Sequence, residues 1–468
     1  MKIKHHEIVP NLDHPFAECK LGREPYAKVL TDIVSTYADG FVLAINNEWG
    51  SGKTTFVKMW QQHLEKNEFQ TIYFNAWEND FDSNPLIALM SELETLTNES
   101  NKTVFKSVVE KGAVLLKNIA PALAKSLLKK YVVDIDDISL DAIENATKAS
   151  TEILEEEIKA YTSKKKTIVE FRKALENFVK KSDNSKPLVF IVDELDRCRP
   201  TYAVEVLEQI KHFFSVSGIV FVLSIDKKQL SSAVKGYYGS EHIDSNEYLR
   251  RFIDLEYSIP NPPTKNFIKY LFEYYSFKDF FGTQERLQYS ELRDDENNFL
   301  MMAEFLLTKS NTTLRQQERI FALTRLVLCS FKENEYTFPQ VLFLLVYVKI
   351  MQDNVYTKIE NHELSIQGLS NALYDILFTE IKDITRINLG YTEALILWFY
   401  NNNREYPNKI NLMEKNLDNK PINLIESKLL DKNDKLIDHF QHIDRQRYDY
   451  LKLDFLLKKI NLTEAIKF

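Results

Sequence analysis

The 468 residues predict an α/β fold built on a five-stranded parallel sheet, with a large helical insertion and a helical C-terminal region. Three observations carry this reading. Short β-branched apolar runs alternate with helical stretches, a glycine–lysine loop sits between the first run and a helix, and the third run ends in two adjacent acids. The runs are 41–46 (FVLAIN), 71–74 (TIYF), 188–192 (LVFIV), 219–225 (IVFVLSI) and 253–259 (IDLEYSI). Strands buried on both faces read as continuous apolar runs, which is the pattern of a parallel sheet covered by helices.

Between the second and third runs the insertion 80–187 is helical, with acidic and basic residues interspersed at i,i+4 spacing. After Pro260 the segment NPPT cannot continue a strand or a helix, so a boundary belongs there. The expected domains are therefore a core of 1–79 and 188–263, the insertion, a helical domain 264–350, and a helical interaction region 351–468. Breaks fall at 401–409 and 418–421.

Apolar residues make up 44% and charged residues 27%, a globular balance, and the net charge of −8 argues against coating nucleic acid through bulk charge. Cys19, Cys198 and Cys329 are too far apart for a disulfide framework or a CxxC site, which predicts a reducing, cytoplasmic setting. No run of about 18 apolar residues occurs, so no membrane span is expected. His5, His6 and His14 lack partners at ligand spacing, and the short runs Lys164–Lys166 and Lys227–Lys228 read as solvated faces.

The strongest local signal is NEWGSGKT, Asn47–Thr54, directly after the first run and before the helical stretch TTFVKMWQQHL. Such a loop exposes successive backbone N–H groups which, with the helix N-terminus, form an anion nest. Candidate contacts to a nucleotide are Asn47, Glu48, Trp49, Gly50, Ser51, Gly52, Lys53, Thr54 and Thr55. Lys53 would reach the terminal phosphates and the Thr54 hydroxyl would ligate Mg²⁺. Asn47 stands where the GxxxxGK[ST] pattern has its first glycine, and asparagine is among the few residues that tolerate the left-handed region there.

The third run ends in Asp193 and Glu194. A metal on a triphosphate needs a carboxylate at the tip of a neighbouring strand, and hydrolysis needs a second one to activate water. Asp193 is the metal-side candidate and Glu194 the water-activating one. Asp196 suits the capping of the following helix, and the role of Arg197 is open. The fourth run ends in Ser224 and Asp226, where a polar group could read the last phosphate; Asp226 is equally a good N-cap for KKQLSSAVKGYY.

Five motifs in order, WGSGKT (Trp49–Thr54), YFNAWEND (Tyr73–Asp80), VDELDRCRP (Val192–Pro200), VLSID (Val222–Asp226) and YLRRFIDLEYSIP (Tyr248–Pro260), make residues 10–330 resemble the KAP family of P-loop NTPases. The resemblance implies an ASCE-class, AAA+-like P-loop core, Mg²⁺-dependent hydrolysis of ATP, a helical lid at 264–350, and action as a homo-oligomer. Many members carry transmembrane helices where the insertion lies. Here the corresponding stretch is broken by Lys106, Lys111, Lys117 and Lys125 and reads as an amphipathic pair split near Pro121 that packs on the core or on a partner helix. The acidic run Asp134–Asp137 that follows would repel anionic lipid. Asn75, Ala76 and Trp77 match the family without a chemistry that can be derived, and Trp77 is expected to pack. Members without spans are linked to prophages and anti-phage defence.

Arg251, with Arg250 as alternative, stands where ring-forming ATPases of the AAA+ type project an arginine into the next subunit, worth about 10³ to 10⁵ in rate. Arg315 and Arg319 share a helical face, as a lid sensor would need. The leading expectation is an ATPase that drives assembly or conformational switching of a cytoplasmic complex through a protein partner. A nucleic-acid ligand stays open without support, and GTP is the less favoured nucleotide. Two alternatives are an ATP-gated scaffold with little turnover and a phosphotransferase.

Overall fold

The computed structural model describes residues 11–37, 40–81, 84–117, 152–181, 186–378, 384–404, 409–415, 421–430 and 433–462. The chain divides between Asn261 and Pro262 into two compact units.

The first unit holds a parallel sheet of β1 (Val42–Asn46), β2 (Thr71–Asn75), β3 (Leu188–Asp193), β4 (Ile219–Ile225) and β5 (Leu255–Tyr257), in the order β2-β3-β4-β1-β5. All five expected strands are present. The fifth is shorter than 253–259 because it is an edge strand with β1 as its one neighbour, and its pairing runs only from Leu43–Leu255 to Ile45–Tyr257. β4 lies between β3 and β1, the ASCE arrangement that the family resemblance implies, so the acids stand two strands from the loop strand. Every residue of β3 and β4 is buried, as a sheet covered on both faces requires.

Alternation along the strands decides which side chains meet. Leu43, Ile45, Val189, Ile191, Val220 and Val222 face α1 (Glu24–Thr36) and α2 (Lys53–Lys66), packing on Leu30, Phe56, Val57 and Trp60. The other parity, including Ala44, Phe74, Phe190, Phe221 and Leu223, builds the opposite core. Tyr73, Asp193 and Ser224 have the α2-side parity, so they end on the face where α2 begins.

The opposite core is covered by α3 (Pro85–Glu94), α4 (Lys102–Lys117), α5 (Glu152–Lys181), α6 (Pro200–Gln209) and α7 (Lys227–Tyr238). Phe105, Val108, Val109, Leu115 and Leu116 of α4 are buried with Phe171 and Phe178 of α5. The described part of the lysine-broken stretch thus lays its apolar face on this core. Pro121, Lys125 and Asp134–Asp137 lie outside the described residues. So do His5, His6 and the Lys164 side chain. The loop before α7 confirms its start: Asp226 Oδ1 accepts the Lys228 and Gln229 N–H groups at 3.1 and 3.4 Å, and Gly239 (φ 63°) ends the helix. A one-turn helix α8 (Ser245–Leu249) precedes β5.

The second unit contains α9 (Thr264–Tyr274), α10 (Asp295–Lys309), α11 (Leu314–Leu328), α12 (Pro339–Met351), α13 (Ile366–Leu377) and α14 (Ile384–Asn402), with further helices between and after them. Its core is aromatic: Phe277 and Phe299 ring centroids lie 4.6 Å apart, and Phe338 meets Phe399 at 4.8 Å, joining residues on both sides of position 350. The region after 351 is not wholly helical, contrary to expectation. β6 (Met413–Lys415) and β7 (Pro421–Asn423) pair antiparallel across the second break, where Asn and Pro disfavour helix. Among the described residues no helix is long and apolar enough to cross a membrane.

Candidate functional site

The loop between β1 and α2 turns through positive φ at Gly50 (79°) and Gly52 (80°), with Ser51 between them in ordinary φ. Alternating hands aim successive N–H groups to one side, the geometry of an anion nest, and the first turn of α2 adds N–H groups without intrahelical partners. Asn47 does not occupy the left-handed region as expected. Its side-chain amide instead staples the loop to the chain after β5, with Nδ2 donating to the Ile259 carbonyl at 2.8 Å and Oδ1 accepting the Ile259 N–H at 2.9 Å. An amide has a donor and an acceptor side by side and mimics a strand neighbour there, which glycine could not do.

Lys53 is buried at the N-terminus of α2, and its ammonium donates to the Asn47 and Glu48 carbonyls, the latter at 3.2 Å. Burial lowers its pKa, while Asp196, Asp226 and Asp193 oppose that shift. Thr54 and Thr55 follow in the same turn, half-buried and exposed. Glu48 is exposed and pairs with Lys228 at 2.9 Å. The Trp49 N–H donates to Asp226 Oδ2 at 3.2 Å, and its indole N–H donates to Asp196. Asp226 is therefore a helix cap and a holder of the loop at once. Asp196 does not cap the following helix, whose N-cap is Arg199; it is buried in the turn after β3 and accepts from the loop.

Asp193, at the tip of β3, is buried. Oδ1 accepts the Glu194 N–H at 3.0 Å and Oδ2 accepts the Tyr73 hydroxyl at 2.9 Å. Glu194 follows in the left-handed region (φ 60°, ψ 23°), a strained conformation for a residue with a Cβ. That turn brings its carboxylate back beside the sheet edge, where Oε1 pairs with Arg197 at 2.6 Å and Oε2 accepts from Asn75 Nδ2 at 3.3 Å. Burial raises the Glu194 pKa, and Arg197 pulls against it. Asn75 thus has a definable contact. Trp77, expected to pack, is 54% exposed, with the Arg197 guanidinium over its ring at 5.8 Å.

These residues suit a metal–polyphosphate. Ser224 Oγ and Ser51 Oγ are buried without a hydrogen-bond partner among the described residues, an arrangement natural beside a polar ligand. Ser224 pairs in register with Asp193 on one side and Ile45 on the other, so it sits between the acid strand and the loop strand.

A family model described as the KAP family P-loop domain matches residues 23–327, well over half of the chain. The chain belongs to the KAP family. An uncharacterized protein of Methanocaldococcus jannaschii is 30% identical over 177 residues, which span 33% of this chain and 89% of that protein. Among solved structures, the structure of C. elegans PCH-2 aligns at 11% identity with a TM-score of 0.29, covering 72% of this chain and 70% of that one.

Of the arginines expected in this KAP protein, Arg250 and Arg251 lie exposed in the turn between α8 and β5. Arg250 pairs with Glu247 at 3.0 Å. The Arg251 guanidinium has no hydrogen bond or ion pair among the described residues. Arg315 and Arg319 belong to the second unit, both exposed on α11. Sequence reasoning missed Arg23, Tyr73 and Asp196. Tyr73 was accessible from strand parity, two residues before Asn75. Arg23 carried no signal, since it contacts the loop from 28 residues away.

Proposed function

We propose that this KAP protein is a cytoplasmic Mg²⁺-dependent ATPase whose hydrolysis cycle drives assembly or conformational switching of a homo-oligomeric complex with a protein partner, in a setting of anti-phage defence. The observation that carries this reading is the Lys53 ammonium at the start of α2, with the Asp196, Asp226 and Asp193 carboxylates around it on the face of the sheet where α2 begins. The N–H groups from Gly50 to Thr55 and the Lys53 ammonium bind and orient the phosphates. Thr54 and Asp193 are the residues that would hold Mg²⁺, with Tyr73 fixing the carboxylate through Oδ2. When bound, Mg²⁺ supplies charge neutralisation for the phosphates. Glu194 takes the proton of the attacking water; each of its oxygens accepts one bond now and keeps a second acceptor direction. Its raised pKa favours the proton-accepting step. Ser224 and Asp226 orient the loop and the outermost phosphate, Arg251 or Arg250 acts from the neighbouring subunit, and Arg315 is the lid residue in this reading.

One observation favours a second reading, an ATP-gated scaffold with little turnover: Glu194 is engaged on both oxygens by Arg197 and Asn75. Glu194→Gln separates the two. The variant should bind MgATP as the wild type does while phosphate release falls by about 10² to 10⁴. A wild type that binds ATP without releasing phosphate leaves the scaffold reading, and Lys53→Ala that binds ATP with unchanged affinity sinks both.

A further inference from the structure

Arg23 is the N-cap residue of α1, and its guanidinium is 4% exposed. Nη2 donates to the Ser51 carbonyl at 2.7 Å and Nη1 to the Gly52 carbonyl at 3.1 Å. Among the described residues no carboxylate pairs with it and its Nε has no partner, so a cation is buried against neutral acceptors alone. The platform that aims it is rigid. Ala27, Leu30 and Val34 of α1 are fully buried beside α2, and the Trp60 indole donates to Thr31 Oγ1 at 3.0 Å.

Peptide planarity converts these contacts into a functional statement. In a trans peptide the C=O and the following N–H point in opposite directions. Fixing the Ser51 and Gly52 carbonyls on one side therefore fixes the Gly52 and Lys53 N–H groups on the other, the side of the nest. The requirement for glycine at 52 fits the same contact: a Cβ there would stand 3.1 Å from Arg23 Nη1, in a backbone with φ +80°. A guanidinium is suited to this task because its planar fork spans two acceptors at once, which an ammonium cannot do with the same geometry.

We propose that Arg23 is a positioning residue for the polyphosphate: it locks the two peptide planes at the head of the loop and places an unneutralised positive charge beneath the phosphates. This rests on reading the loop as a phosphate cradle and adds that the affinity Arg23 supplies is blind to the base and ribose. Calorimetric titration of the full chain with MgATP and, separately, with magnesium and inorganic triphosphate tests it on wild type, Arg23→Gln and Arg23→Lys, with the ligand-free melting temperature of each as reference.

Arg23→Gln should lose affinity for both ligands by the same factor, roughly ten- to hundredfold. Arg23→Lys should show a smaller matched loss with a ligand-free melting temperature near wild type. If Arg23→Gln does not fold, Arg23→Lys decides by the same comparison. Unchanged affinities beside a lowered melting temperature would make Arg23 merely structural and overturn the proposal. A loss confined to ATP, or a wild type that binds ATP but not triphosphate, also overturns it, since the nucleoside would then carry the effect. A wild type that binds neither ligand removes the phosphate-cradle reading itself, and the proposal with it.

Discussion

The half-buried Glu194 and the fully buried Glu393 meet opposite company. Glu194 has a cation beside it and a strained backbone beneath it, whereas Glu393 in α14 is 0% exposed and, among the described residues, is held by the serine hydroxyls Ser370 Oγ and Ser427 Oγ, each donating at 2.6 Å. Burial raises the Glu393 pKa above the ordinary carboxylate range, and the two hydroxyls offset this only in part. A carboxyl whose folded pKa lies above its unfolded pKa holds more protons when folded, so its contribution is complete at low pH and is lost as pH rises through the folded value. Melting temperature should therefore fall as pH rises from about 5, and Glu393→Gln, which keeps a neutral polar head, should flatten that slope. A slope identical in the variant and the wild type would show that Glu393 ionises without cost. At this scale Asp193, Glu194 and Lys53 were legible because their order along the chain encodes them, but the Asn47 staple was not: the amide's partner, Ile259, is 212 residues away.

At the scale of elements, the described helices of the insertion are part of the core of the first unit and no appendage to it. α3 and α5 close on α4 at Gly112, where a Cβ would stand 2.6 Å from Met90 Sδ of α3 and 3.4 Å from Phe171 Cε2 of α5. Phe171 itself is fully buried, edge-on to Phe214 at 5.8 Å between ring centroids. Removing a ring from such a position costs about 3 to 5 kcal/mol. Phe171→Ala should lower urea stability by that amount while the folded variant keeps its ATP affinity, because Phe171 and the phosphate loop lie on opposite faces of the sheet. A matching loss of affinity would mean that the two faces communicate through the strands. The helical character of the insertion was readable from its i,i+4 charges; which face it covers was not, since charge spacing marks the solvent side and leaves the partner unnamed.

For the whole molecule, the role proposed for the exposed Arg251 is the one that needs a second copy of the chain. Arg251→Ala should bind ATP with near wild-type affinity and release phosphate at least about 10³-fold more slowly. Mixing it with Lys53→Ala, itself unable to use its own loop, should restore part of the turnover, because some interfaces then pair an intact arginine with an intact loop. Equal turnover in Arg251→Ala and wild type ends the trans assignment. The sequence by itself determined the class of fold, the five strands and the residues of the loop and acid strand, because strand periodicity and the loop's glycines are local properties that no distant partner has to supply. Only the tertiary structure decided that Asp226 and Asp196 grip Trp49, and that Arg23 holds the loop from behind. Each of these is a contact between positions 28 to 177 residues apart in the chain, set by strand order and helix placement rather than by any neighbouring residue.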